Sequence, residues 1–286
     1  MDYGPFGFVE RMEKDQNFWG PSKPQGHFGF LNQIEAGAKN FDALAGAIAT
    51  LIGKDRSMFA GSASPFVRRQ GRQHRERAAA ELSRVWRAKL GFGDIHVDAP
   101  VDDAAIDTLI TALLPLLEKR VDWTMFWRLL PALLPQPGSR GGGPTRGADV
   151  TAGAALAALG RAVYPGRDAG LDSIGAELAA WACSWRALHR GADPGGARRA
   201  DVAAAMQRVN PKYIPRQWML VDCYVRAQEG DYALLHLFEA LLARPYDEQP
   251  EYEARFFRRA PSAMYSDLAP EGTPPPPSLY REVMPS

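Results

Sequence analysis

Near its start the chain reads Asp2-Tyr3-Gly4-Pro5-Phe6-Gly7-Phe8, and the interpretation of the whole sequence builds on this run. Asp2 supplies a carboxylate, a hard oxygen ligand of the kind that Mg²⁺ binds. Gly4 permits backbone angles that other residues resist, and Pro5 restricts Gly4 and stiffens the exit from the turn. Asp followed two residues later by Gly is also typical of an ordinary Asx turn, so this short pattern alone leaves both interpretations open.

Three later stretches are also distinctive. The first combines Ser22, Gly26-His27-Phe28, Phe30, Asn32-Gln33 and Asn40-Phe41. The second reads Asn210-Pro211-Lys212-Tyr213-Ile214-Pro215-Arg216-Gln217-Trp218, and its two prolines predict an extended segment that enters a helix. Arg216 could contact phosphate or pair with a carboxylate, and a structural ion pair is the preferred interpretation. The third reads Arg244-Pro245-Tyr246-Asp247-Glu248-Gln249-Pro250-Glu251-Tyr252, and we interpret it as a packed loop.

Together, these runs resemble the selenoprotein O family (YdiU in bacteria), kinase-like proteins that transfer AMP to protein side chains. The Asp2 run is similar to the family's metal-binding segment, and the Asn210 run to its Asn-Pro-Lys-Tyr-Ile/Val-Pro-Arg-Asn signature. Lys23, His27, Ile34 and Lys39 depart from the family pattern, which has Asp, Arg, Pro and Trp at those places. The resemblance extends from Asp2 to about Pro261.

This resemblance implies a mainly α fold, the helical C-terminal part of a protein-kinase-like fold without its ATP-binding lobe. The sequence shows no internal repeat and no strand-rich pattern, which agrees with a set of packed amphipathic helices. The expected division has four parts: a kinase-like C-lobe portion beginning at the metal-binding segment, a Gly/Pro-rich insertion, a C-terminal helical region and a Pro-rich tail. Their predicted ranges are 1–134, 135–149, 150–260 and 261–286.

The function implied by the resemblance is Mg-dependent transfer of AMP from ATP to Ser, Thr or Tyr of a protein substrate. Asp2 is the one site residue that carries over, as a ligand of Mg²⁺ (or Mn²⁺) and through it of ATP. The phosphate loop, its lysine and the catalytic loop have no counterpart here, so the chain is expected to need a missing N-terminal lobe and to be inactive alone. The alternative is a non-catalytic helical interaction module. By the same resemblance the protein would be mitochondrial in a eukaryote and cytoplasmic in a bacterium.

Composition narrows the possible partners. The 286 residues include 34 Lys and Arg against 33 Asp and Glu, so the net charge of +1 creates no field that attracts nucleic acid or membrane. No apolar run is long enough to span a bilayer. The two cysteines, Cys183 and Cys223, are interpreted as buried free thiols. The five histidines are scattered, and their spacing does not indicate a structural zinc site.

Periodicity predicts which helix faces are buried. The expected buried groups are Phe41/Leu44/Ile48, Ile106/Leu109/Ile110/Leu113/Leu117, Trp181/Trp185 and Leu234/Phe238, and Leu82/Val85/Trp86/Leu90 form the apolar stripe of another helix. Gly91 and Gly230 should end helices, and Asp201 should begin one. The basic run from Arg68 to Arg77 could bind phosphate, but the solvated start of a helix is the preferred interpretation.

Overall fold

The computed structural model describes residues 9–14, 29–51, 65–93, 101–134, 150–164, 171–193 and 196–261. Within these ranges the chain forms ten α-helices: α1 Gln33–Leu51, α2 Pro65–Lys89, α3 Asp103–Leu117, α4 Trp123–Leu129, α5 Ala152–Leu159, α6 Leu171–Ala192, α7 Arg199–Val209, α8 Gln217–Gln228, α9 Ala233–Leu242 and α10 Pro250–Phe256. The β pairing among these residues is limited to isolated bridges, Arg11–Asp122 and Val121–Val163. The mainly α prediction is confirmed, while the kinase-like assignment and the four-part division stay predictions. Asp2, the 135–149 insertion and nearly all of the predicted tail lie outside the described residues.

The described residues divide into two compact units, with the boundary in α2 after Trp86. The first unit lies within 13–86, and the second combines 9–12 with 87–261. None of the described helices is both long and apolar enough to cross a membrane.

In the first unit, α1 packs on α2 through small side chains. Ala45 and Ala49 of α1 form a buried cluster with Val67 of α2. A Cβ added at Gly71 of α2 would lie 2.1 Å from a carboxylate oxygen of Asp42, so the Asp42 side chain reaches the backbone of α2. The basic run accordingly forms part of α2, as preferred, and its Arg75 pairs with Asp42 at 3.1 Å.

The prediction that Leu44 and Ile48 are buried is wrong, because they are 56% and 44% exposed. The apolar face of α1 is wider than α2 can cover. Leu44 lies about 100° around the helix from Ala45, since an α-helix has 3.6 residues per turn. The side that α2 covers is therefore the alanine side, and only Phe41 of the predicted group packs against it in part.

The apolar stripe of the second predicted helix is covered only in part: Leu82 and Val85 of α2 are 38% and 39% exposed, while Trp86 and Leu90 are buried. Contacts between α1 and α2 run in opposite order along the two helices. Glu35, in the first turn of α1, already lies opposite Arg75, with a nitrogen-to-oxygen distance of 3.8 Å. Leu82 and Val85 come later in α2 and lie beyond the N-terminal end of α1, so α1 cannot cover them.

The second unit is organised around α3 and α6. All five predicted apolar residues of α3 are buried, and the helix continues through Pro115 to Leu117. Trp181 and Trp185 of α6 are buried, as predicted, and their indole N–H groups donate to the carbonyl oxygens of Leu109 and Leu90 at 2.9 Å. These bonds satisfy the polar atoms that burial would otherwise leave unpaired.

Packing around α6 and α9 also follows the sequence closely. A Cβ at Gly175 of α6 would lie 2.8 Å from the Leu156 side chain of α5, so only glycine permits this approach of the two helices. Leu234 and Phe238 of α9 are buried, as predicted. Cys223 is a buried free thiol, as expected, whereas the free thiol of Cys183 is only half-buried and accepts a hydrogen bond from the backbone N–H of Val150 at 3.1 Å.

Two predicted helix ends are confirmed. Gly91 has φ of +83°, and after it the N–H of Phe92 donates back to the carbonyl of Arg87 at 2.7 Å, the hydrogen bond of a Schellman motif. Gly230, with φ of +84°, ends α8 in the same way.

The prediction for Asp201 is wrong. It lies inside the first turn of α7, which begins at Arg199. The carboxylate of Asp193 instead accepts the backbone N–H groups of Ala197 and Arg198 just before the helix. An Asp in the sequence does not by itself show whether it precedes the helix or lies within the first turn.

Candidate functional site

The segment that follows the Asp2 run is held by backbone hydrogen bonds. The N–H of Met12 donates to the carbonyl of Val121 at 2.9 Å, and the N–H of Lys119 donates to the carbonyl of Met12 at 2.7 Å. The N–H of Trp123 donates to the carbonyl of Glu10 at 2.7 Å. Residues 10–12 therefore lie as an extended strip along the connection between α3 and α4.

Beside this strip lies a buried ionic group, the Arg216 cluster, formed by Glu10, Asp122 and Arg216. The two terminal nitrogens of Arg216 donate to the two carboxylate oxygens of Asp122, at 2.5 and 3.0 Å. One of them also lies 3.4 Å from a carboxylate oxygen of Glu10. The other oxygen of Glu10 accepts the N–H of Gln217, the first residue of α8, at 2.8 Å. The cluster thus joins three distant parts of the chain.

The three side chains are almost fully removed from solvent, with 7% exposure for Glu10, 0% for Asp122 and 1% for Arg216. The ion-pair interpretation of Arg216 is therefore confirmed. A planar guanidinium suits this geometry, because it can bind one carboxylate through two parallel hydrogen bonds. Asp122 also accepts the N–H of Met125 at 2.9 Å and so caps the start of α4.

The charges in the Arg216 cluster do not balance, since two carboxylates share one guanidinium. Burial raises the pKa of Glu10, and the nearby Arg216 charge only partly opposes this effect. Burial is the largest single effect on Arg216 and acts to lower its pKa, but the charges of Asp122 and Glu10 and the hydrogen bonds to Asp122 together outweigh it, so the pKa of the guanidinium is raised. Arg216 therefore stays charged, and Glu10 is the group whose charge is costly to keep.

A second ionic group, the Lys212 cluster, joins Arg128, Arg161, Lys212, Glu248 and Glu253. Lys212 donates to Glu248 and Glu253 at 2.7 and 2.8 Å, although its own side chain is only 3% exposed. Arg128 pairs with Glu248, and Arg161 with Glu253. The phenol of Tyr213 donates to the carbonyls of Glu248 and Gln249. The predicted packed loop is confirmed only in part, because Gln249 is buried but Tyr246 is 46% exposed, and from Pro250 the run belongs to α10.

The Lys212 cluster borders a pocket of about 310 Å³, whose apolar wall includes Leu129, Pro131 and Phe257. Burial acts to raise the pKa of Glu248, but the hydrogen bonds and positive charges of Lys212 and Arg128 together outweigh it and lower that pKa. All four carboxylate oxygens of Glu248 and Glu253 accept hydrogen bonds from cationic groups of the chain. The cluster is therefore a self-paired network that fastens the Asn210 run to α10.

Sequence reasoning missed Glu10 and Asp122 as partners of Arg216. Asp122 had a signal, since it immediately precedes a helix, where Asp is a favoured cap. Glu10 had none, because no local pattern links it to a residue with a sequence separation of 206.

The predicted metal ligand, Asp2, lies outside the described residues. In the part of the chain that the structure describes, no group of three or more His, Cys, Asp or Glu side chains could hold a metal ion. Asp2 as a metal ligand therefore stays a prediction.

A family model described as protein adenylyltransferase SelO matches residues 1–242. The chain belongs to the SelO family. The SelO match includes the Asp2 run and all three members of the Arg216 cluster, but it ends before Glu248 and Glu253 of the Lys212 cluster.

Curated relatives agree with the SelO assignment. The chain is 33% identical over 261 residues to the protein nucleotidyltransferase YdiU of Cupriavidus pinatubonensis, and this alignment covers 89% of the chain and 43% of the relative. It is 34% identical over 257 residues to the protein of the same name from Thiobacillus denitrificans, with the same coverage of 89% and 43%. For that of Mycolicibacterium paratuberculosis the identity is 30% over 266 residues, with 91% of the chain and 44% of the relative covered. The chain thus spans less than half the length of these SelO relatives.

Proposed function

We propose that this chain is the helical C-terminal portion of a SelO-family protein nucleotidyltransferase that transfers AMP from ATP to a Ser, Thr or Tyr hydroxyl of another protein. The observation that carries the proposal is the SelO match across residues 1–242, which includes both the Asp2 run and the Asn210 run. The names of the relatives support nucleotidyl transfer. The choice of ATP, AMP and a hydroxyl acceptor follows from the resemblance of the motifs.

The Arg216 cluster supports this proposal because it ties the two most distinctive runs together. Arg216 belongs to the Asn210 run, and Glu10 comes two residues after the Asp2 run ends. Their contact, together with the backbone bonds of residues 10–12, holds the chain where it leaves the Asp2 run. A ligand segment held at one end loses less conformational entropy when it binds its metal and nucleotide.

In the proposed reaction the acceptor hydroxyl attacks the α-phosphorus of ATP, a new O–P bond forms and pyrophosphate leaves. Asp2 would hold Mg²⁺, which neutralises charge on the phosphates. The groups that bind the phosphates would come from the part of the relatives that this chain does not span. The chain alone is therefore expected to be inactive.

The test is a chimera in which the matched region of this chain replaces its counterpart in the C. pinatubonensis relative. Purified chimera, parent relative and chain 1–286 are incubated with Mg²⁺ and ATP labelled at the α-phosphate, and incorporation into protein is measured. The chimera should incorporate label and the chain alone should not. Asp2→Asn in the chimera should reduce incorporation by orders of magnitude with little change in melting temperature. Asp247→Asn, at an exposed loop position, is the matched control and should leave incorporation unchanged.

Two outcomes would refute the proposal. A folded chimera that incorporates no label, beside an active parent relative, would favour the helical interaction module instead. Incorporation that survives Asp2→Asn at limiting Mg²⁺ would remove Asp2 from the proposed site.

A further inference from the structure

One face of α1 exposes a row of large aliphatic side chains. Leu44, Ile48 and Leu51 are 56%, 44% and 86% exposed, and we call these three residues the α1 stripe. Their spacing of four and then three residues places them on one side of the helix. Single exposed leucines are common on proteins, but a row at helical spacing is typical of a face that packs against another element.

The α1 stripe is continuous with a buried surface. Ala45 and Ala49, next to it around the helix, already pack against Val67 of α2, and Phe41 lies between the two areas and is partly buried. The apolar side of α1 is therefore wider than its described partner covers. An amphipathic helix of a folded protein normally buries the whole apolar face, so the uncovered part indicates a contact with something beyond α2.

We propose that the α1 stripe is the docking surface for an apolar surface in the part of SelO proteins that this chain does not span. The family assignment supplies the occupant, because the matched region is only 43% of the C. pinatubonensis relative. The remainder of that relative is joined to this region in one polypeptide. Covalent connection gives it a high effective concentration, so even a small apolar contact is occupied.

A second copy of this chain is a weaker candidate for the occupant. A stable interface between separate proteins buries about 800 Å² on each partner, and three aliphatic side chains present much less. The inference relies on the family assignment but not on AMP transfer, and it is tested by stability rather than activity. Its failure and the failure of the proposed reaction are therefore distinguishable.

The experiment compares the same substitutions in two settings. Leu44→Glu with Ile48→Glu is made in chain 1–286 and in the chimera described above, and melting temperatures are measured. In the chain alone both side chains are exposed, so the double variant should melt within about 1 °C of the parent. In the chimera the same charges would be buried without partners, and the melting temperature should fall by about 5 °C or more. Tyr224→Glu with Val225→Glu, at positions of α8 that are 44% and 50% exposed, is the matched control and should change neither protein.

A second arm uses the intact C. pinatubonensis relative, so that the test does not depend on folding of the chimera. Glutamate at the two positions that align with Leu44 and Ile48 should lower its melting temperature by a similar amount. The proposal is wrong if these substitutions leave the relative unchanged. It is also wrong if they destabilise the chain alone, which would show that other residues of this chain cover the stripe. Sedimentation of chain 1–286 tests the remaining rival: a dimer that the double variant dissociates would identify a second copy as the occupant.

Discussion

Replacing Arg216 by methionine should reduce the free energy of unfolding of the second unit by about 3–5 kcal/mol, the usual cost of removing one partner from a buried ion pair. The structure places this variant at the costly end of the range. Both carboxylates that face Arg216 are buried, Asp122 with 0% and Glu10 with 7% side-chain exposure. Methionine has a similar length, so the loss of charge and hydrogen bonds dominates over the loss of volume.

The measurement is urea unfolding of chain 1–286, followed by tryptophan fluorescence and by circular dichroism. Trp123 and Trp127 lie in α4, whose first turn Asp122 caps, so fluorescence should detect opening near the cluster. Arg216→Lys keeps the charge but loses the two-pronged contact with Asp122, and it should cost less than methionine. In the double variant with Asp122→Asn, one of the two uncompensated charges is also gone, and at least about 1 kcal/mol should be recovered.

Arg226→Met is the matched control for this experiment. Arg226 also pairs with an aspartate, Asp222, but its side chain is 45% exposed. Exposed pairs of this kind contribute little, so the control should change the free energy of unfolding by less than about 1 kcal/mol. The reasoning would be refuted if Arg216→Met proved no more destabilising than this control, or if Asp122→Asn failed to recover any stability in the double variant.

Two further predictions concern Lys89, the last residue of α2, and Gly91, which follows it. Lys89 donates to the side-chain oxygen of Asn210 at 2.9 Å, and burial lowers its pKa to about 8. Between pH 8 and pH 10.5 the unfolded chain binds the Lys89 proton more tightly than the folded chain does. As the pH rises through this range, the free energy of unfolding should therefore increase by up to about 3 kcal/mol. Lys89→Met should remove that rise, which urea midpoints at pH 7.5 and 10 would show; an identical rise in the variant would contradict it. Gly91→Ala should destabilise the chain by at least about 1 kcal/mol in the same assay, because φ is +83° and the new Cβ would lie 2.8 Å from Val202, whereas Gly160→Ala, which meets no atom within 4 Å, should not.

Features that depend on neighbours along the chain could be predicted from the residues alone. The buried indoles of Trp181 and Trp185 follow from a spacing of four residues, which places both on one side of α6. Gly91 and Gly230 end their helices because glycine adopts positive φ without a clash. The motif runs likewise identified the SelO family, because they are contiguous and can be compared directly.

Features that depend on partners distant in sequence required the folded chain. Periodicity located the apolar residues of α1 but not which part of that face α2 would cover, and the covered part is the alanine side rather than Leu44 and Ile48. Arg216 was recognised as a candidate for an ion pair, yet its partners lie 94 and 206 residues away in Asp122 and Glu10. No local pattern encodes such a pairing, because it arises only when packing excludes water from all three side chains and leaves their charges to be offset by one another and by hydrogen bonds.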